Sequence, residues 1–217
     1  MIYKLSADNL YFPDPSQADE NGLLAVGGDL NAKRLIKAYK NGIFPWPRQD
    51  FPLILWFSPN PRAVLYPDTF RLTRSLKRSL KRYEIRVDTN FSQVIAMCAD
   101  VRKQTTWINS HMIKAYNELF RLGFAHSVES YDENKELVGG LYGVCIGKVF
   151  CGESMFAIKK DASKSALYWL CRKVSQEEGI IDCQVINPHL SSLGTVEISR
   201  EKFLQTLYIL GSKPSIL

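Results

Sequence analysis

Beyond residue 124 the apolar positions fall into three strand-length runs, 124–131, 136–145 and 148–156, separated by the turn segments DENK and IG. That spacing predicts an antiparallel meander. Helical periodicity follows over about 163–177 and stops at Gly179, and a further apolar run covers 180–186. A crossover of that length favours parallel pairing of the last strand. Upstream, the 3.6-residue period predicts helices over about 69–82, 91–101 and 110–122, the last ended by Gly123, with a strand over 83–88. Another helix is expected over about 200–210. Residues 1–61 differ: one short helix, Ala32 to Asn41, with Asn31 placed to cap it and Gly42 to end it, sits among the proline-rich loops YFPDP, GIFPWP and FPLILWFSPNPRAVLYP. The pattern divides the chain into a small N-terminal domain, 1–61, and a larger one, 62–217.

Two of the apolar runs carry polar residues. FCGESMF (150–156) contains Glu153, and IIDCQVI (180–186, starting from the first of its isoleucines) contains Asp182 and Gln184. Taking a carboxylate such as Asp182 out of water costs several kcal/mol, on the order of 3 or more, unless donors or a cation meet it. Such groups point to chemistry or to a charged partner. Strict alternation places Asp182 and Gln184 on one face of their strand, with Cys183 and Val185 on the other.

Composition narrows the class. Hydrophobic residues at 46% and charged residues at 23% are ordinary globular usage and exclude disorder as the main state. The N-terminal stretch MIYKLSADNLYFPDP lacks a signal-peptide core, and no run approaches the roughly 18 apolar residues of a bilayer span. A cytoplasmic, monomeric protein with no membrane association is expected. The cysteines at 98, 145, 151, 171 and 183 show no CxxC spacing and sit in apolar patterns, as reduced packing residues do, so no metal is assigned.

The net charge of +6 is local. Arg71, Arg74, Lys77, Arg78, Lys81 and Arg82 lie between Thr69 and Tyr83 without an intervening acid, and the remainder holds 22 basic against 22 acidic residues. On a helix, Arg74, Lys77, Arg78, Lys81 and Arg82 cover one side and Leu72, Leu76 and Leu80 the other. A solvated face is the plain reading; a phosphate-backbone surface is the functional one. The narrow aliphatic stripe suits docking on a core better than membrane insertion.

The element order resembles that of the acetyl-CoA-dependent N-acyltransferase superfamily. The fold expected is therefore α+β, a small N-terminal domain plus a GNAT-like acyltransferase domain with a mixed, mostly antiparallel sheet flanked by helices. Those enzymes hold pyrophosphate on a glycine-containing loop opening the crossover helix. The corresponding AIKKDASKSAL (157–167) has no glycine, which argues against acetyl-CoA as donor.

Ten segments in order, NGLLAVGGDL (21–30), GIFPWP (42–47), WFSPNPRAVL (56–65), TTWI (105–108), AHSVE (125–129), LVGGLYGV (137–144), FCGESMF (150–156), ASK (162–164), IDCQ (181–184) and HLSSLG (189–194), resemble the leucyl/phenylalanyl-tRNA–protein transferase family. The resemblance implies transfer of leucine or phenylalanine, with methionine a third donor, from aminoacyl-tRNA to proteins with N-terminal arginine or lysine, creating a degradation signal, with no cofactor. It implies that Trp46 and Trp107 hold the 3′-terminal adenosine, with Tyr116 behind them, and that Leu141, Phe150, Gly152 and Met155 line a pocket for the carried amino acid. Leu170 and Val174 depart from the phenylalanines that can occur there. Glu153, Asp182 and Gln184 match the family's polar site residues: Glu153 to orient the aminoacyl ammonium or read the basic acceptor, Asp182 to orient Gln184 or itself act as base. Without the resemblance, each tryptophan reads first as core packing and Tyr116 equally as core or site, while a structural role for the acids, bonded to backbone amides at the sheet edge, stands as the second reading. His111, His126 and His189 each have an ordinary explanation, with no serine or cysteine paired to them by a recognisable motif. Two other readings stand beside this one, an aminoacyl-tRNA-dependent ligase extending a cell-wall peptide and a non-catalytic RNA-binding module. The first would need a helical arm for tRNA, and the second has no use for buried acids.

Overall fold

The structure is a computed structural model that describes residues 2–48, 50–101 and 106–217. In chain order, β1 (Tyr3–Leu5), β2 (Leu23–Gly27), α1 (Ala32–Lys40), β3 (Phe44–Pro45) and β4 (Leu55–Phe57) build a small sheet of order β1-β2-β4-β3 with one helix. Asn31 caps α1, its Oδ1 accepting from the Arg34 amide at 2.8 Å, and Gly42 leaves it with φ 69°. Strands this short offer no alternation for a sequence pattern to show.

The remainder comprises β5 (Arg62–Leu65), α2 (Arg74–Ser79), β6 (Glu84–Val87), α3 (Phe91–Asp100), α4 (Ser110–Arg121), β7 (Ala125–Tyr131), β8 (Leu137–Ile146), β9 (Val149–Ala157), α5 (Ala162–Gln176), β10 (Ile180–Gln184), α6 (Pro188–Leu193), β11 (Val196–Ile198) and α7 (Arg200–Gly211). The seven strands order as β11-β5-β10-β9-β8-β7-β6. Among the described residues of this seven-stranded sheet, only β9 and β10 pair in parallel, joined by the crossover α5. The chain is an α+β protein.

Alternation along the central strands feeds two cores. Leu141 and Cys145 of β8, Phe150 of β9 and Ile181 of β10 pack with Leu167, Leu170 and Val174 of α5. Tyr142, Val144, Val149, Cys151 and Ile180 point the opposite way, into a core shared with Val94, Met112, Tyr116 and Phe203 and with Leu24, Leu35 and Phe44 of the N-terminal part.

The basic segment is not one helix over 69–82. Thr69 and Arg71 are tied sideways, through Thr69 Oγ1 to the Gly194 carbonyl at 3.0 Å and the Arg71 amide to the Leu193 carbonyl at 2.9 Å. The α-helix starts only after Thr73, whose hydroxyl accepts from the Leu76 amide at 3.2 Å, and gives way to a 3₁₀ turn over Leu80–Arg82.

Two β-bulges interrupt the sheet on either side of the β9/β10 pair. Gly143 pairs with Gly152 but Tyr142 with Ser154, leaving Glu153 as an extra residue; Asp182 pairs with Val64 but Gln184 with Ala63, leaving Cys183 as another. β9 and β10 are in register only as far as Cys151 and Asp182. Bulges re-aim side chains, and both occur where the paired strands part.

Candidate active site

Where β9 and β10 part, a cavity of about 200 Å³ opens, lined by Trp46, Trp107, Leu141, Phe150, Gly152, Glu153, Met155, Leu167, Leu170, Ile181, Cys183 and Gln184. It is small beside the roughly 300–1,000 Å³ of common ligand sites, a size suited to one side chain with its polar end outside. The β9 bulge explains part of the lining. Without it, Gly152 and Met155, three residues apart, would face opposite sides; with it, Gly152 lies opposite Gly143, Met155 opposite Leu141, and both reach the cavity. A Cβ on Gly152 would meet nothing closer than the Asp182 carbonyl at 3.6 Å, so the space over this glycine belongs to the cavity.

Glu153 sits at the inner end of this lining. Tyr39 of α1 donates to its Oε1 at 2.7 Å, Tyr116 of α4 to its Oε2 at 2.9 Å, and Gln184 Nε2 to Oε1 at 2.8 Å, while the two phenolic oxygens also contact each other. Burial pushes the carboxyl up to about 7 against these three donors, with the Asp182 charge adding to the rise. Burial, followed by the charge of Glu153, pushes both phenols well above their ordinary range.

Asp182 stands elsewhere. The shift from Val64 to Ala63 as pairing partner changes the parity of β10, and Gln184 itself takes a left-handed φ of 64°. The expectation that Asp182 and Gln184 share a strand face therefore fails: strict alternation does not survive a bulge. Gln184 lines the cavity, whereas Asp182 is fully buried outside its lining. Arg62 Nε donates to Asp182 Oδ1 at 2.8 Å and Nη2 to Oδ2 at 2.6 Å, a bidentate pair. The Arg62 guanidinium also gives Nη1 to the Gly42 carbonyl at 3.0 Å and lies between the rings of Phe44 and Phe203, 4.9 and 4.4 Å from their centroids. The same Asp182 Oδ1 accepts from the Gln184 backbone amide at 2.9 Å. Asp182 thus holds the backbone of Gln184 rather than its side chain.

A sequence profile described as leucyl/phenylalanyl-tRNA protein transferase matches residues 64–208, and one described as the N-terminal domain of the same protein matches residues 28–60. This chain belongs to the leucyl/phenylalanyl-tRNA–protein transferase family. Curated relatives of that name include those of Pectobacterium carotovorum, 52% identical over 95% of this chain and 89% of the relative, and of Idiomarina loihiensis and Sulfurimonas denitrificans, each 50% identical over 98% and 96% of this chain and 92% of the relative. A solved structure titled L-PGS from Bacillus licheniformis aligns with 76% of this chain and 54% of its own at 13% identity and a TM-score of 0.41, a likeness that carries no argument.

Within this member of the transferase family, Trp46, 39% exposed, and the half-buried Trp107 border the cavity, and Thr105 of the TTWI motif lies outside the described residues. Tyr116 is not in the cavity wall; it is fully buried behind Glu153. Leu170 lines the cavity, while Val174 is buried without lining it. Arg74, Lys77, Arg78, Lys81 and Arg82 are all exposed, with Leu76 turned inward. His126 pairs through Nδ1 with Asp88 at 2.7 Å, away from the cavity, and His111 is exposed on α4. His189 falls in α6 rather than a loop, and borders the cavity.

Tyr39 and Arg62 escaped sequence reading. Arg62 did leave a signal, a lone cation entering the apolar run RAVL that could have been matched to the lone acid in IIDCQVI. Tyr39 left none, because its α1 pattern is that of an ordinary core tyrosine.

Proposed function

We propose that this chain transfers leucine or phenylalanine, and methionine as a third donor, from the 3′ end of aminoacyl-tRNA to the α-amino group of proteins beginning with arginine or lysine, marking them for degradation. The observation that carries the reading is one small apolar cavity with Trp46 and Trp107 on its border and Glu153 and Gln184 on its wall, in a member of this family. The carried side chain would fill the space between Phe150, Met155 and Leu170, and the adenosine would stack on the tryptophans, worth about 1–3 kcal/mol per base. Acting on aminoacyl-tRNA, the protein would work in the cytoplasm, as a monomer. The parting of β9 and β10 after three parallel residue pairs supports a GNAT-like reading of the larger sheet, with the N-terminal domain taken as 1–61 and the transferase domain as 62–217.

An aminoacyl ester is already activated toward amines, so positioning supplies much of the rate. The acceptor α-amine, with a pKa of about 7.7–8.0, is roughly a tenth to a sixth neutral at pH 7. With Gln184 Nε2 facing Glu153, the amide oxygen of Gln184 remains to accept from the incoming amine, and the Asp182 contact to its backbone fixes the left-handed residue that presents it. The test is transfer of labelled leucine from leucyl-tRNA to a peptide beginning with Arg, against the same peptide beginning with Ala. Equal labelling of both, or of neither, defeats the reading.

The exposed basic face of α2 and of the 3₁₀ turn after it would contact tRNA phosphates. Each lost contact removes roughly 0.7–0.9 from the slope of log affinity against log salt. Reversing Arg74, Arg78 and Lys81 to Glu is expected to weaken leucyl-tRNA binding and flatten its salt dependence, while leaving use of a minimal aminoacyl-adenosine donor unchanged. Equal damage with both donors would assign the face a structural role.

Gly152→Ala tests the pocket with little structural cost, because the added methyl meets protein only at ordinary contact distance. It should leave the urea midpoint within the equivalent of about 1 kcal/mol and cut transfer of phenylalanine more than of leucine, by an order of magnitude or so. Equal loss for both donors would place the side chain elsewhere.

A further inference from the structure

Glu153, Tyr39 and Tyr116 make three mutual contacts: each hydroxyl reaches one carboxylate oxygen, at 2.7 and 2.9 Å, and the hydroxyls touch each other. Each contact needs one hydrogen between its oxygens, and two phenols supply two. The third hydrogen is present only when the carboxyl is protonated. The arrangement is therefore complete with the carboxyl protonated, and ionisation leaves one of the three contacts without its hydrogen, so the ionised group is poised to take a proton back. The phenols, buried and pushed up by the neighbouring carboxylate, keep their own protons, so the one that comes and goes belongs to Glu153. The other groups around it are Gln184, which is neutral, Cys151, whose thiol burial holds protonated, and Asp182, which is committed to Arg62. Of the two site carboxylates, only Glu153 lines the cavity.

We propose that Glu153, held by Tyr39 and Tyr116 as positioning residues, is the base of the transfer reaction, an inference that rests on the transfer reading above. The acceptor ammonium first loses one proton to solvent. As its nitrogen attacks the ester carbonyl and the C–N bond forms, Glu153 takes the nitrogen's second proton. As the bond from the carbonyl carbon to the ribose oxygen breaks, Glu153 returns that proton to the departing oxygen, which leaves as a hydroxyl and restores the carboxylate. Gln184 accepts from the remaining N–H during the attack. Asp182 takes no part in proton transfer; it is fully buried outside the cavity lining and paired with Arg62.

The test is the single-turnover rate of transfer from leucyl-tRNA to a peptide beginning with Arg, followed from acid to alkaline pH. The wild type should show an enzyme limb near neutrality beside the limb of the acceptor amine, which alone moves when a peptide with a less basic α-amine is used. Tyr39→Phe and Tyr116→Phe each remove a donor that favours the carboxylate, so each should move the enzyme limb to higher pH. Glu153→Gln should abolish that limb and slow transfer by about a hundredfold or more without weakening leucyl-tRNA binding. Infrared spectra should independently show a carboxylic-acid carbonyl band that titrates near neutrality in the wild type and is missing from Glu153→Gln. A limb unchanged in Glu153→Gln, a missing band in the wild type, or a variant that only raises KM for leucyl-tRNA would overturn the proposal while leaving transfer intact. Absence of any wild-type transfer would instead remove the transfer reading, and the proposal with it.

Discussion

Replacing Arg62 with methionine should destabilise the fold by about 3–5 kcal/mol, since removing one partner of a buried ion pair leaves the other uncompensated. Arg62 and Asp182 are 1% and 0% exposed, and the guanidinium joins five parts of the chain: β5, which carries it, β10 through Asp182, the Gly42 carbonyl beyond α1, the Phe44 ring of β3 and the Phe203 ring of α7. The double variant Arg62→Met/Asp182→Leu should regain most of the loss, because an apolar pair of similar volume has no charge to solvate. Activity should not return with stability. Without Asp182 Oδ1 the Gln184 amide loses its acceptor, and a non-glycine residue at φ 64° loses the contact that holds it there. Urea unfolding checks the first half and leucine transfer the second. A single variant costing less than about 1 kcal/mol, or a double variant with full transfer, would show that the pair neither braces the fold nor positions Gln184.

The meander, the crossover helix and the parallel last strand were legible because each is long enough for periodicity to repeat: β7, β8, β9 and α5 all fall within two residues of the predicted bounds. The N-terminal sheet was not, since its strands of two to five residues carry less pattern than their proline-rich surroundings. The basic segment shows a different limit. Its apolar stripe is genuine, with Leu76 buried, but hydrogen bonds from Thr69 and Arg71 to residues near 193 divert the chain before a helix can start, and such distant bonds have no local signature.

The site divides the same way. Alternation and buried polarity located Glu153, Asp182 and Gln184, and the family resemblance supplied Trp46, Trp107, Leu141, Phe150, Gly152 and Met155. What the pattern could not hold was the pair of bulges. One extra residue at Glu153 and another at Cys183 reverse the parity of everything beyond them, so Gln184 turns into the cavity and away from Asp182, which is left as the buried counter-ion of Arg62. Tyr116 moves in the same sense, from a wall of the adenosine site to a donor behind Glu153. A single sequence records which residues are polar in an apolar strand; it does not record the inserted step that decides where they point.

Glu153→Gln should make the protein more stable at pH 8 than the wild type, relative to their difference at pH 4.5, by on the order of 3 kcal/mol. In the folded protein the carboxyl sits at about 7, against 4.5 for a free glutamate. Between these values the native state retains a proton that the unfolded chain has already shed. Wild-type stability from this group is therefore fully present below about 4.5, declines as pH rises toward 7, and is flat above. Roughly 1.4 kcal/mol per unit gives the expected total. Glutamine has no proton to lose, keeps an oxygen for the phenols, and shows no such decline. Taking the difference between variant and wild type at each pH cancels the titration of every other group that the substitution leaves alone. Urea unfolding of both proteins at pH 4.5, 6, 7 and 8 measures it directly. A difference that stays constant across the series would mean that Glu153 titrates as an ordinary carboxylate, and that the three donors around it outweigh its burial. A difference that grows with pH would show that the wild type tolerates an unstable ionised acid at neutral pH, the condition in which a carboxylate is most ready to accept a proton from an amine.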